Sequence, residues 1–212
     1  MMTTHTFTQK EELAHAITHG FGVLISIVGL ILLIIFSSLQ GDAWQIVSSI
    51  IFGVTMLLMY IASTVSHGLP AGKWKDIFQI FDHSSIYLFI AGSYTPLLLV
   101  PLRSELGWTL FGIVWGIALI GIVFKIFFVQ KFLVLSTVFY VLMGWMIIFA
   151  WGPLTDVLPT SGLLYLIIGG VLYTVGSIFY VWRSFYYHHA VWHLFVIAGS
   201  VFHFFTIFLY VI

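Results

Sequence analysis

Seven stretches of apolar residues, each about as long as the roughly 20 residues a helix needs to cross 30 Å of hydrocarbon, follow one another along the chain. They cover residues 16–39, 44–66, 79–102, 108–129, 132–151, 162–182 and 189–210. The joints between them are short and rich in turn residues: Gly41-Asp42, 68–72, 103–107 and 152–161. The runs are continuous rather than alternating, which argues against the ten-residue segments of a β-barrel. The pattern predicts an all-α polytopic membrane protein, a seven-transmembrane-helix bundle forming a single domain over residues 1–212. Thr8 and Glu11 have capping-box spacing, so the first helix is expected to begin near Gln9.

Composition agrees with the pattern. Hydrophobic residues make up 61% of the chain and charged residues 7%, against about 25% charged in a soluble domain. Seven basic and seven acidic side chains cancel, so the basic surface that nucleic acid requires is missing. The polar, acidic start lacks a basic stretch before a short apolar core, and no signal peptide is expected. Lysine and arginine divide unevenly. The N-terminus and the second, fourth and sixth connections carry Lys10, Lys73, Lys75, Lys125, Lys131 and Arg183, and the opposite face carries Arg103. The positive-inside rule then places the N-terminus in the cytoplasm and, after seven crossings, the C-terminus outside. Pairs of small residues, Gly112/Gly116, Gly169/Gly170 and Gly176/Ser177, are read as helix-packing positions.

Polar groups within spans are costly and mark candidate sites. Ser63 and His67 end the second span, Asp82 and His83 begin the third, His189 and His193 begin the seventh, and His15 and His19 begin the first. All lie at the level assigned to the cytoplasmic face. There are nine histidines and no cysteine, so a metal would be held by nitrogen or oxygen. His189 and His193 are spaced i, i+4, which puts both imidazoles on one helix face. With His67 they would supply three nitrogens to zinc and leave a fourth position for water, which Asp82 would orient or deprotonate. Ser63 stands one turn from His67. His15 and His19 repeat the spacing but stand at the start of the apolar run and are read as interfacial, as is His188. His203 is expected to pack deeper on the interior side. Asp82 and His83 diverge by about 100°, so Asp82 is taken to face the centre. Glu11 and Glu12 are read as helix-start residues.

The chain resembles the hemolysin III family, the bacterial branch of the progestin and adiponectin receptor (PAQR) superfamily. The resemblance is carried in order by EELAHAITHGFG (11–22), STVSH (63–67), FDHSSIYLFIAGSYTP (81–96), GGVLYTVGSIFY (169–180) and HHAVWHLFVIAGSVFHF (188–204). It implies a seven-helix bundle with zinc on the cytoplasmic side held by His67, His189 and His193, with Ser63 and Asp82 at the matching polar positions. The receptor relatives are similar to ceramidases, which implies hydrolysis of a lipid amide or ester. Membrane lipids are then the expected partners, one of them as substrate. The chain departs from the family at Ser66, where a tyrosine is common. The competing expectation is a non-enzymatic sensor or a haemolysin-type pore in which zinc is structural. A transporter is disfavoured by the lack of internal repeats.

Overall fold

The computed structural model describes residues 7–212. All regular secondary structure among them is helical: α1 (Gln9–Gln40), α2 (Ala43–Gly68), α3 (Lys73–Leu99), α4 (Glu105–Phe128), α5 (Leu133–Gly144), a 3-10 turn (Met146–Ala150), α6 (Trp151–Val157), α7 (Thr160–Val181) and α8 (His188–Tyr210). The capping box at the start of α1 forms as the spacing predicts, with the Thr8 hydroxyl accepting from the Glu11 amide and the Glu11 carboxylate accepting from the Thr8 amide. Asp42 and Gln45 make the same reciprocal cap on α2.

The helices are arranged for a lipid solvent. On α1 the buried stripe is Glu11, His15, His19, Gly22, Ser26, Gly29, Leu33 and Ser37, almost all small or polar. The opposite face carries exposed Leu13, Ile17, Phe21, Leu24, Val28 and Ile31. In water this helix would be inside out. In a bilayer the apolar face meets acyl chains, and the small residues let neighbouring helices approach. Six helical segments of the described chain are long and apolar enough to cross a membrane, with α5, the 3-10 turn and α6 counting together as one. The chain is an all-α, multi-pass membrane protein. α3 is as long as the others, at 27 residues, but less apolar. Its polar residues Asp82, Ser84, Ser85, Tyr87, Tyr94 and Thr95 are buried among neighbouring helices.

α1, α2 and α3 pack side by side. α3 then contacts α5, α5 contacts α7, α7 contacts α8, and α8 returns to α1. This closes a ring around an internal cavity, with α4 packed on α3 outside it. The stretch expected as one helix over 132–151 is broken instead. α5 stops at Gly144, and the chain passes through the 3-10 turn before α6. Tyr94 satisfies the backbone groups that this break releases. Its hydroxyl donates to the carbonyls of Met143 (3.0 Å) and Gly144 (2.6 Å) and accepts from the Ile147 amide (2.9 Å). A break inside a membrane is tolerated where such partners exist.

Two readings of the sequence are corrected. Lys125 does not lie in a loop with the other cations; it is fully buried within α4, with its ammonium 5.8 Å over the Tyr140 ring. Gly112 and Gly116 do not pack within the chain, since a Cβ added at either meets nothing within 4 Å. Gly169 and Gly176 do pack, against His203 and against Phe195 with Trp192.

Candidate metal centre

The start of α1, the end of α2 and the start of α8 meet at one end of the ring. There one nitrogen each from His67, His189 and His193 all lie within 4.8 Å of one another. The i, i+4 spacing on α8 sets two of these imidazoles one above the other, with ring centroids 4.5 Å apart. His67 reaches them from the last turn of α2, at 5.1 and 5.4 Å between centroids.

Outer hydrogen bonds orient two of the three rings. His67 Nδ1 donates to Glu12 Oε2 at 2.7 Å, which leaves Nε2 buried with no partner. Glu12 is itself held by Lys75 Nζ at 3.0 Å on its other oxygen. His193 Nδ1 donates to the His15 carbonyl at 3.2 Å and lies 3.0 Å from Thr18 Oγ1, so Nε2 is again the nitrogen left available. A carboxylate or carbonyl behind a histidine fixes its tautomer and raises its basicity toward a metal. Burying a polar atom unpaired costs about 1–3 kcal/mol. The buried Nε2 of His67 therefore fits a metal that accepts it. The donor set, all imidazole nitrogen with a carboxylate behind it, suits zinc and similar borderline ions.

Glu12 was assigned from sequence only to the helix start. Its expected contribution here is testable: Glu12→Ala should weaken metal binding tenfold to a hundredfold, measured by competition with a chelator, while saturating metal still gives the same stoichiometry.

The centre opens toward a cavity of about 140 Å³ lined by His19, Ser63, Asp82, His83, His189 and His193 among others. Asp82 is largely buried. The nearest cationic candidate, His83 Nδ1, is 4.0 Å away and is committed to the Gln79 carbonyl at 2.8 Å. The carboxylate therefore faces the cavity. Asp82 and His83 both line it, although helical geometry argued that only one would. Ser63 is one of several buried serines whose hydroxyls have no partner, with Ser49, Ser84 and Ser136; of these, Ser63 is the one that lines the cavity.

Sequence reasoning missed how central α1 is. His15 and His19 are not interfacial but buried, and both ring nitrogens of each lack hydrogen-bond partners. His19 stacks on His193, at 3.4 Å between centroids and 11° between planes. A signal was available: both histidines continue the small and polar stripe that runs on through Gly22, Ser26 and Gly29. His188 is also buried, with Nδ1 donating to the Phe179 carbonyl at 3.0 Å. His203 sits deeper, edge-on to Tyr173. On the outer side Phe7 covers the cluster, with centroids 4.6 Å from His15 and 5.4 Å from His189.

These features define a multi-pass helical membrane protein with a buried histidine-rich centre at one end of its bundle. Residues 7–204 match the family described as Haemolysin-III related, and the chain belongs to that family. It is 55% identical over 204 residues to the hemolysin-3 homolog of Bacillus subtilis (strain 168), covering 96% of each chain. It is 49% identical over 211 residues to hemolysin-3 of Bacillus cereus, covering 100% of this chain and 96% of the relative. The likeness reaches beyond bacteria: the human monocyte to macrophage differentiation factor is 32% identical over 216 residues, covering 96% of this chain and 85% of the relative. With its helices and its bacterial relatives, the chain is a multi-pass protein of the bacterial cell membrane.

Proposed function

We propose that this protein is a zinc-dependent hydrolase of a lipid amide or ester, acting in membrane lipid homeostasis. The observation that carries this reading is the meeting of three imidazole nitrogens, from His67, His189 and His193, with the buried Asp82 carboxylate lining the same cavity as His189 and His193. The proposal includes seven crossings, with α3 as the third, and a cytoplasmic N-terminus. That places the centre near the inner leaflet, where Lys75 and the exposed Lys10, Lys73, Lys131 and Arg183 also lie, with Arg103 at the opposite end.

His67, His189 and His193 would hold the ion. Bound there, it would supply a lowered pKa for water and polarisation of the substrate carbonyl. Asp82 accepts the proton of the attacking water and later returns it to the leaving group. The free Ser63 hydroxyl hydrogen-bonds the reacting polar group. On α3 the cavity is lined by Asp82, His83, Ile86, Phe89, Ile90, Ser93, Tyr94 and Leu97. At 1.5 Å per residue this face extends about 22 Å, the scale of a long acyl chain. It ends among the Tyr94 hydrogen bonds at the broken fifth span. A mostly apolar wall of this length suits a lipid tail, which supports the hydrolase over the pore.

The test is to incubate the full-length protein, purified in detergent, with ceramide-type amides and acyl esters, with and without a chelator. The reading predicts product release that the chelator abolishes and added zinc restores. Absence of chelator-sensitive product from every amide and ester offered would overturn it.

A further inference from the structure

Four tyrosines line the cavity: Tyr94, Tyr140, Tyr173 and Tyr180. Three of them commit their hydroxyls to the protein. Tyr94 binds the backbone released after Gly144. Tyr140 donates to the His83 carbonyl at 2.8 Å, and the Tyr173 hydroxyl lies 3.0 Å from Ser200 Oγ. The Tyr180 hydroxyl is buried and has no hydrogen-bond partner among the described residues. A buried donor left unpaired is costly, and phenylalanine would fill the same space without that cost. The oxygen therefore fits a group that a ligand brings to it.

Tyr180 closes the segment GGVLYTVGSIFY (169–180). The cavity-facing residues of α7 are Gly170, Tyr173, Thr174, Ser177 and Tyr180, a spacing of three and four that keeps one helix face turned inward for about three turns. At the end of that face Tyr180 stands beside the start of α8. Its ring centroid is 5.6 Å from His189 and 5.6 Å from Trp192, and 6.4 Å from His83 on α3. The Asp82 carboxylate acts electrostatically on the same phenol. Packing by these rings holds the side chain in place before a substrate arrives.

We propose that Tyr180 is a catalytic residue of this centre, whose hydroxyl donates a hydrogen bond to the carbonyl oxygen of the bound lipid amide or ester and stabilises the negative charge that gathers there during attack. The proposal rests on the hydrolase reading and deepens it. Attack by water turns the carbonyl oxygen into an oxyanion, and a donor held ready for it stabilises the transition state more than the substrate. A low-dielectric cavity makes such a bond stronger than it would be in water. Asp82 cannot serve in this way, because an ionised carboxylate only accepts. Ser63 has a free hydroxyl as well, so α2 and α7 each bring one uncommitted donor to the cavity.

Tyr180→Phe removes the oxygen and keeps the ring. Full-length wild type, Tyr180→Phe and Asp82→Asn, purified in detergent, are compared for zinc content and for kcat and KM on an amide or ester that wild type hydrolyses. Calorimetry then measures binding of a long-chain alkylphosphonate, a stable anion shaped like the tetrahedral intermediate, and of an alcohol with the same tail. For Tyr180→Phe the proposal predicts unchanged zinc, kcat lowered about 10²–10³-fold and KM little changed. Phosphonate affinity should fall about tenfold or more, while the alcohol binds as it does to wild type. If Tyr180→Phe keeps wild-type kcat and phosphonate affinity while Asp82→Asn loses hydrolysis, Tyr180 is not a donor and the hydrolase reading stands. If Tyr180→Phe loses zinc, or binds alcohol and phosphonate equally more weakly, the residue is structural and the proposal falls. If wild type hydrolyses none of the amides and esters offered, the hydrolase reading falls and takes the proposal with it.

Discussion

Replacing Asp82 with asparagine is expected to lower the proposed lipid hydrolysis by a factor of about 10²–10⁴, the range a general base contributes, while leaving the metal content of the purified protein unchanged. The two halves of this expectation come from different observations. Asp82 is largely buried and lines the same cavity as His189 and His193, so it is placed to take a proton from water attacking there. It is not among the ligand atoms that lie within 4.8 Å of one another, so removing its charge takes nothing from the metal. Asparagine preserves shape and cannot accept a proton. The loss, about 2.7–5.4 kcal/mol of barrier at 1.36 kcal/mol per factor of ten, should therefore appear in kcat rather than in KM. An Asp82→Asn protein with full hydrolytic rate would remove Asp82 from the mechanism. One that loses its metal as well would mean that the carboxylate belongs to the metal site.

The second large effect concerns the metal itself. Ligation requires each imidazole to be free of a proton on the ligating nitrogen. As pH falls protons compete for these nitrogens, and apparent affinity falls by up to about tenfold per pH unit for each ligand in competition. Binding should thus be flat in mildly alkaline solution and collapse steeply on acidification. Titrating metal release against pH checks this. An apparent affinity that does not change on acidification would indicate ligands other than imidazole.

Much of this architecture is legible in the sequence because a bilayer leaves few options. A helix that crosses it must be long and apolar, and a polar residue within it must face inward. That reasoning places Ser63, His67, Asp82, His189 and His193 in one layer, and the folded chain does bring the three imidazoles together. What it cannot supply is the pairing of faces. His15 and His19 stand at the very start of the first apolar run, so hydropathy read them as interfacial. Their burial follows from α1 packing against both α2 and α8, a tertiary fact. Glu12 reads as a helix-start acid because its partners, His67 and Lys75, are 55 and 63 residues away in the chain. The break after Gly144 is hidden for a similar reason: hydropathy is continuous through it, and the hydroxyl that makes it tolerable comes from Tyr94 on another helix. Lys125 was counted with the loop cations, although the apolar residues on both sides place it inside α4.

The central claim is that His67, His189 and His193 form a metal site. The most direct test is zinc analysis of the purified wild-type protein beside a His189→Ala/His193→Ala double variant that is still inserted and folded. The account predicts about one zinc per wild-type chain and essentially none in the variant, because removing both α8 nitrogens leaves too few ligands for tight binding. A double variant that keeps stoichiometric zinc would contradict it.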